Sequence, residues 1–215
     1  MLYDITPPIS PALCVWPGDT PPSRQVLCDM KQGANITLST LHATVHLGAH
    51  ADGPNHYGKD APAIDQRSLD YYIGPCRVVS VPTARGARVS VDAFDAALER
   101  GSLHVATLPG RVLIATGTYP DAANFNEDFA GLEPSLIDTL SVRGVHTIGT
   151  DAPSVDLFTS KDLPAHNRFL ANDMAILEGL VLSDVPDGDY ELIALPLKLV
   201  GFDASPVRAI LRTLR

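Results

Sequence analysis

Three histidines and an aspartate crowd the short segment from residue 46 to residue 56. They are His46, His50, Asp52 and His56, and four of the chain's seven histidines lie between positions 42 and 56. Imidazole and carboxylate ligands, without thiolates, are typical of a hydrolytic metal that keeps one position open for water. A single histidine is more often a polar surface residue, but this set on one face predicts a metal site.

The same segment belongs to an alternating pattern that begins at Thr40. Polar residues occupy the even positions and apolar residues the odd positions as far as Asp52, and a period of two indicates a β-strand whose apolar face packs on a core. In a straight strand the α-carbons of His46 and His50 would lie about 13 Å apart, whereas zinc needs nitrogen ligands at about 2.0–2.1 Å. We therefore expect the strand to end near His46 or Leu47.

Two glycines are placed to fold this segment into a site. Gly48 lies between the two histidines, and a glycine within a strand pattern commonly marks a bulge or a close backbone approach. Gly53 and Pro54 form a turn signal that can carry His56 back over the site. His42 lies one further pair of residues back on the strand, so we expect it outside the ligand set, in a supporting or surface position.

Length and composition predict one domain spanning residues 1–215. Hydrophobic residues make up 45% of the chain. A domain of this size buries roughly 70% of the surface that its unfolded chain exposes, so it needs neither disulfides nor a structural metal to fold. A metal in this chain is therefore better explained as a catalytic one.

Charge and cysteine content argue against several classes of protein. The formal charge is −9, from 25 acidic and 16 basic residues, so a nucleic acid would be repelled. Cys14, Cys28 and Cys76 are odd in number and lack CxxC spacing, which argues against a disulfide framework and a thiolate zinc site and favours a reducing cytoplasm. We see no secretion signal and no run of about eighteen apolar residues, so we expect no membrane span.

The elements that must position the site are short. Runs rich in β-forming residues occur at 77–81, 111–115, 145–148 and 190–195. Helices are expected at 91–99, where Ser90 is a plausible N-cap, and at 134–140, where Pro134 takes the first position. Strands outnumber helices and the two alternate only partly, so we expect an α/β domain with mixed β-sheets and a few helices.

A family signature runs through the histidine segment. The string His46-Leu-Gly-Ala-His50-Ala-Asp52-Gly-Pro54-Asn-His56 resembles the HxGTHxDxPxH pattern of the cyclase-like metal hydrolases, which include isatin hydrolases and bacterial kynurenine formamidases. It departs at Ala49, where many members carry threonine and the formamidase branch tolerates alanine. The resemblance implies the swivelling β/β/α fold of that family.

Further blocks are similar to the kynurenine formamidase branch. They are residues 160–166 followed by 175–180, residues 190–198, residues 203–211, and Trp16-Pro-Gly-Asp near the start. The resemblance therefore covers essentially the whole chain.

The resemblance implies a centre with two metal ions. His46, His50 and Asp52 would hold one ion and His166 the second, with Asp52 and Glu178 bridging the two. The family's preferred metal is zinc, and manganese occurs in relatives.

It also implies that His56 is the acid/base histidine, that Trp16 lines the substrate pocket, and that the protein is a homodimer. Without the resemblance, His166 next to Pro164 would be assigned to the first turn of a surface helix, and Trp16 to a loop anchor over the core. Glu178 is different, because a single acid in an apolar run is rarely buried unless it is paired or bound to metal.

The implied activity is hydrolysis of N-formyl-L-kynurenine to L-kynurenine and formate, a step of tryptophan degradation. Zinc lowers the pKa of a bound water to about 7, so hydroxide would attack the formyl carbon without a serine or cysteine nucleophile. His56 would then deliver a proton to nitrogen, since the unperturbed pKa of histidine is about 6.5.

Three other interpretations stay open on the sequence. The chain could be a hydrolase of the same family that acts on isatin or on another aryl or cyclic amide, because no specificity code is visible and no one of the 16 Lys and Arg residues stands out as a partner for a substrate carboxylate. It could bind a metal or a small molecule without turnover, or carry a polar strand face without any metal.

Overall fold

A mixed sheet of nine strands organises the protein, whose computed structural model describes residues 1–101 and 107–214. The strand order is β1-β13-β11-β5-β7-β9-β10-β4-β12. The strands are β1 (Leu2–Asp4), β4 (His50–Asp52), β5 (Ile73–Ser80), β7 (Arg111–Ala115), β9 (Thr147–Thr150), β10 (Ala175–Glu178), β11 (Gly188–Ile193), β12 (Ala204–Pro206) and β13 (Ile210–Thr213). Two further pairs stand apart in the described residues: β2 (Ser23–Cys28) with β3 (Leu38–His42), and β6 (Arg88–Val89) with β8 (Gly131–Leu132).

The centre of the large sheet is parallel. β5, β7, β9 and β10 run in one direction, while β11 and β4 flank them in antiparallel orientation. The carboxyl ends of parallel strands meet at one edge of a sheet, where open α/β sheets bind their ligands. Ser80, Ala115, Thr150 and Glu178 therefore end side by side at this edge.

Both faces of the parallel strands are buried, as parallel sheets require. Successive side chains point to opposite faces, so Val78 and Leu113 join one core while Val79 and Ile114 join the other. The first core also contains residues from β4, near one end of the strand order, and from β11 and β13, near the other end. The sheet must therefore curl around this core.

Three helices cover the second face in the described part of the chain: α1 (Val91–Arg100), α2 (Pro134–Val142) and α3 (Pro164–Ala171). Ser90 caps α1 by accepting the N–H of Ala93 at 3.2 Å, and proline opens both α2 and α3. The two helices expected from the sequence are confirmed. None of the described helices has the length and apolar character needed to cross a membrane.

The predicted α/β class with mixed sheets is confirmed, but one strand boundary is wrong. The strand expected to reach His46 or Leu47 ends at His42, and residues 43–49 are irregular. The partner strand explains this end, because His42 pairs with Ser23, the first residue of β2. Pro21 and Pro22 precede Ser23, and proline has no N–H with which to extend the ladder.

The apolar side chains at the odd positions of this segment were expected to be buried, and this expectation is correct only near and after the bend at Gly48. Leu41 on β3 is 60% exposed, whereas Leu47, Ala49 and Ala51 are buried. His42, which we placed outside the ligand set, is exposed. The alternating pattern thus spans two structures, an exposed hairpin strand and a buried strand of the main sheet.

Candidate metal centre

Strand register brings the side chains of His50, Asp52 and Glu178 together. In the antiparallel pair β4 and β10, His50 lies directly opposite Glu178, and directly opposed residues project from the same face. Asp52 is two residues further along β4 and so shares that face. His50 Nε2 lies 3.3 Å from Glu178 Oε2 and 3.5 Å from Asp52 Oδ1.

The predicted bend at Gly48 brings His46 to the same place. Gly48 has a φ of +57°, a left-handed conformation that glycine adopts at little cost, and the His46 and His50 rings lie 5.0 Å apart. His50 Nδ1 donates to the Gly48 carbonyl at 2.8 Å, which leaves Nε2 as the acceptor nitrogen. The turn Pro54–His56 then returns the His56 ring to 4.2 Å from that of His46.

His166 enters from the first turn of α3 and is 3% exposed, so a surface helix position is wrong. Its Nδ1 donates to Asp156 Oδ2 at 2.9 Å, and its Nε2 therefore faces the carboxylates. Nε2 lies 3.6 Å from Asp52 Oδ2 and 3.7 Å from Glu178 Oε1. His50 and His166 are thus each oriented by a hydrogen bond from Nδ1, as metal-ligating histidines usually are by their second ring nitrogen.

Each carboxylate divides its two oxygens between two groups of imidazoles. Asp52 Oδ1 lies 3.2 Å from His46 Nδ1 and faces His50, whereas Oδ2 faces His166. Glu178 Oε2 faces His50, whereas Oε1 faces His166. The arrangement contains two adjacent subsites that share both carboxylates.

Buried atoms without hydrogen-bond partners test whether these residues fit a metal. His50 Nε2 and both carboxylate oxygens of Asp52 are buried, and among the described residues no donor or acceptor is aligned on them. A buried carboxylate left in this way is costly, and a divalent cation would satisfy it. The oxygen and nitrogen donor set fits zinc or a similar ion.

The ligand atoms also form two compact groups. In the described chain, His46, Asp52 and His56 form one group and His50, Asp52 and Glu178 the other, with the atoms of each group within 4.8 Å of one another. Asp52 belongs to both groups. His56 is thus close enough to His46 and Asp52 to share a metal ion with them.

The acidic surroundings hold protons on two of the imidazoles. Burial disfavours the charged form of His46, but the adjacent carboxylates of Asp52 and Asp203 outweigh it and raise the pKa of His46 to about 9. Burial also opposes ionisation of His166, yet Asp156 and Asp52 raise its pKa to about 10. Burial alone would raise the pKa of Asp52, and the neighbouring His166 and His46 lower it well below the usual range.

Sequence reasoning missed three residues that support the centre. Asp156 is buried and accepts the backbone N–H groups of Ala165 and His166, and Arg88 pairs with it at 2.9 Å. Asp203 Oδ2 lies 3.1 Å from His46 Nε2 and 3.5 Å from His56 Nδ1. Asp156 gives no local signal because it caps α3 from outside the helix, whereas Asp203 opens one of the blocks noted above.

A cavity of about 900 Å³ opens onto the centre along the carboxyl edge of the parallel strands. His46, His50, His56, His166 and Glu178 line one end of it. The aromatic residues Trp16, Tyr119 and Phe125 form part of its wall, with Trp16 packed 5.7 Å from Phe125 and 5.0 Å from Phe158, measured between ring centroids. The structure therefore brings together all seven residues singled out from the sequence.

Comparison with known proteins gives both a family and structural relatives. Residues 3–157 match the sequence model of a family described as putative cyclase, a range that includes the histidine segment but ends before His166 and Glu178. A potential metal-dependent hydrolase with cyclase activity is 26% identical, with 98% of this chain and 96% of that one covered and a TM-score of 0.81. A predicted metal-dependent hydrolase from Bacillus stearothermophilus is also 26% identical, with coverage of 98% and 97% and a TM-score of 0.80.

The fold is shared with a third kind of structure at lower identity. Isatin hydrolase A from Labrenzia aggregata, bound to benzyl benzoate, is 22% identical, with 100% of this chain and 94% of that one covered and a TM-score of 0.84. These similarities extend over residues 158–214, where the sequence model does not reach.

Proposed function

Because the chain belongs to the putative cyclase family, whose fold it shares with metal-dependent hydrolases, we propose that it hydrolyses N-formyl-L-kynurenine to L-kynurenine and formate. One observation carries the hydrolase part of the proposal. A buried set of imidazoles and carboxylates with unsatisfied ligand atoms opens into an aromatic-walled cavity that His56 also lines. The choice of formamide comes from the resemblance of the sequence blocks.

The two shared carboxylates support a centre with two ions. His46, His50 and Asp52 would hold the first ion, and Asp52, His166 and Glu178 the second, with Asp52 and Glu178 bridging. Zinc is the ion we propose, because the resemblance implies it and because imidazole nitrogens and carboxylate oxygens are among its usual ligands. When bound, zinc ions would lower the pKa of a water to about 7 and polarise the formyl carbonyl.

His56 supplies the proton that hydrolysis requires. Adding water across the formyl C–N bond gives formate and an amine, so the nitrogen must gain a proton as the bond breaks. The side chain of His56 is 37% exposed, against 17% for His46 and 5% or less for His50 and His166, and it lines the cavity. Asp203 Oδ2 lies 3.5 Å from His56 Nδ1, so Nε2 is the nitrogen left for the substrate.

The cavity wall suits an aryl group. Trp16 presents a large ring that is held by Phe125 and Phe158, and rings of this kind stack against planar substrates. An N-formyl aryl amine could place its ring against Trp16 while its formyl group reaches the imidazoles. The rest of the cavity is larger than a bare ring needs, which leaves space for a side chain.

A second candidate is hydrolysis of isatin or a similar cyclic aryl amide. It is favoured by the cavity wall, in which none of the described residues is lysine or arginine, so a neutral ring would enter without desolvating a cation. The metal ligands and His56 would have the same roles, and only the substrate would differ.

The test is to measure metal per chain and turnover on one preparation. We expect about two zinc ions per chain and hydrolysis of N-formyl-L-kynurenine that a chelator abolishes and zinc restores. Activity on isatin alone would favour the second candidate, whereas a protein without metal and without turnover on either substrate would overturn the proposal. The expected homodimer stays a prediction, which the mass of the protein in solution tests.

A further inference from the structure

The cavity continues far from the metal centre along the carboxyl edge of the sheet. Ser80 at the end of β5 and Ala115 at the end of β7 line it, as Glu178 at the end of β10 does. Three strand spacings separate β5 from β10 in the sheet, which is about 14 Å. A substrate with its amide at the centre would therefore extend its other end past β9 towards β7 and β5.

Away from the metal centre, the cavity wall has neither lysine nor arginine among the described residues. The histidines in the wall belong to the centre, and Asp19 and Asp151 contribute carboxylates. A substrate carboxylate would find like charges there, which disfavour binding.

The backbone N–H groups that follow β7 and β10 do not replace the missing cation. Those of Thr116 and Gly117 donate to the Asp151 carboxylate. Those of Gly179 and Leu180 donate to the carbonyl groups of Ala152 and Thr150. These four amides are therefore engaged, and they do not form an anion-binding nest.

Asp151 is the charged group best placed to meet a substrate. It follows directly after β9, next to the β10 end that carries Glu178, and the Leu180 N–H donates to the carbonyl of Thr150 at 3.1 Å. Asp151 Oδ1 accepts the N–H and the hydroxyl of Thr116 at 2.9 and 2.7 Å. Among the described residues, Oδ2 accepts only the N–H of Gly117, at 2.8 Å.

These bonds hold the carboxylate in one orientation and leave it able to accept more. A carboxylate offers about four lone-pair positions, and Oδ2 uses one of its two. We propose that Asp151 binds a primary ammonium group of the substrate through Oδ2, and that the cavity rejects substrates whose remote end is anionic. The inference rests on the proposed function, and it specifies the substrate class as aryl formamides with a zwitterionic or cationic tail.

Three formamides that share the formamidophenyl ketone and differ in the tail test this proposal. N-formyl-L-kynurenine carries an ammonium and a carboxylate, its desamino analogue carries the carboxylate alone, and 2-formamidoacetophenone lacks the charged tail and is neutral. We expect kcat/KM of the zinc-loaded protein to decrease from N-formyl-L-kynurenine to the neutral compound and again to the desamino analogue. In Asp151→Asn the ratio of kcat/KM for N-formyl-L-kynurenine to that for the neutral compound should fall about ten-fold.

The ratio is measured within each variant, so partial loss of folded protein does not affect it. Asp121→Asn is the matched control, because Asp121 also accepts a backbone N–H, that of Ala123, but does not line the cavity; the wild-type ratio should persist. Equal turnover of the desamino analogue and N-formyl-L-kynurenine, or an unchanged ratio in Asp151→Asn, would overturn the inference and leave the formamidase intact. No hydrolysis of any of the three compounds would overturn the proposed function and this inference with it.

Discussion

At the scale of single residues, His56 transfers the proton in the proposed reaction. Replacing it in His56→Ala should lower kcat by two orders of magnitude or more, since general acid catalysis contributes typically 10²–10⁴-fold. The metal content should stay the same, because the other imidazoles and carboxylates complete the ligand set. The measurement is zinc per chain together with kcat.

His42→Ala is the control for this variant, since His42 is exposed at the end of β3 and its loss should leave both quantities unchanged. Loss of zinc from His56→Ala would instead make His56 a ligand, as its closeness to His46 and Asp52 allows. Full turnover in zinc-loaded His56→Ala would remove it from the mechanism.

A second residue, Asp156, would act on a bound metal through His166. Its carboxylate accepts the Nδ1–H of His166 at 2.9 Å, which directs Nε2 to the centre and raises the basicity of the ring. In Asp156→Asn we expect zinc affinity to fall about 10- to 100-fold, measured by competition with a chromogenic chelator.

Asp138→Asn is the matched control, because Asp138 also supports α3, through Arg168 and Asn172, but touches no ligand of the centre. Its zinc affinity should equal that of the wild type. An Asp156→Asn protein that binds zinc as tightly as the wild type would show that His166 does not depend on this hydrogen bond, or is not a ligand.

At the scale of elements, the backbone before β4 and the backbone after β10 pass very close to each other beside the centre. Gly48, in the bend before β4, and Gly179, directly after β10, approach so closely that a Cβ on Gly179 would overlap the carbonyl oxygen of Gly48. Gly179 also has a φ of +65°. The Gly48 carbonyl accepts the hydrogen bond that orients His50, so this close approach connects both strands to a proposed metal ligand.

Gly179→Ala should therefore lower the free energy of unfolding by about 2–5 kcal/mol, from left-handed strain together with overpacking, and should weaken zinc binding. Gly86→Ala separates the two causes, because Gly86 has a φ of +72° but none of the described residues has an atom within 4 Å of its Cβ position. That control should lose only about 1–2 kcal/mol and keep its zinc affinity. Urea unfolding and zinc titration measure both, and equal losses in the two variants would mean that the close approach is unimportant.

The bend before β4 and the end of β3 show which features of the site could be predicted from the sequence and which could not. Alternation, the glycine at position 48 and the turn at Gly53 sufficed to predict the bend and the return of His56, because each is a local preference. The end of β3 at His42 was not predictable from its own residues, since it is set by its partner β2 and the prolines before it. The partnership of His50 with Glu178 depends on strand register across 128 positions, and only resemblance suggested it.

At the scale of the whole molecule, the net negative charge of the chain includes buried carboxylates at the metal centre, and these need positive charge beside them. A chain with a formal charge of −9 buries Asp52, Asp156 and Glu178 close together, and positive charge must accompany them. When the metal is removed, protons on His46 and His166 supply that charge. Metal and protons therefore compete for the same imidazoles, as is general for metal sites built on histidine.

This competition predicts that zinc stabilises the protein more as the pH rises from 7 to 9. The pKa values of His46 and His166 are raised from 6.5 to about 9 and about 10. Their contribution to the stability of the metal-stripped fold is therefore complete below about pH 6.5 and is lost as the pH rises through the two folded-state values. Zinc must displace these protons, so its affinity should increase about ten-fold per pH unit for each imidazole that is still protonated.

The measurement is the difference in Tm between zinc-loaded and metal-stripped protein at pH 7, 8 and 9, which should widen at each step because tighter binding stabilises the folded state. His146→Gln is the control, since His146 lies outside the centre and burial lowers its pKa; the same widening should appear. Calorimetric titrations in two buffers of different ionisation enthalpy should show protons released on zinc binding at pH 8. A constant Tm difference without proton release would mean that the imidazoles are neutral before the metal arrives, and that the charge of Asp52 and Glu178 is balanced in another way.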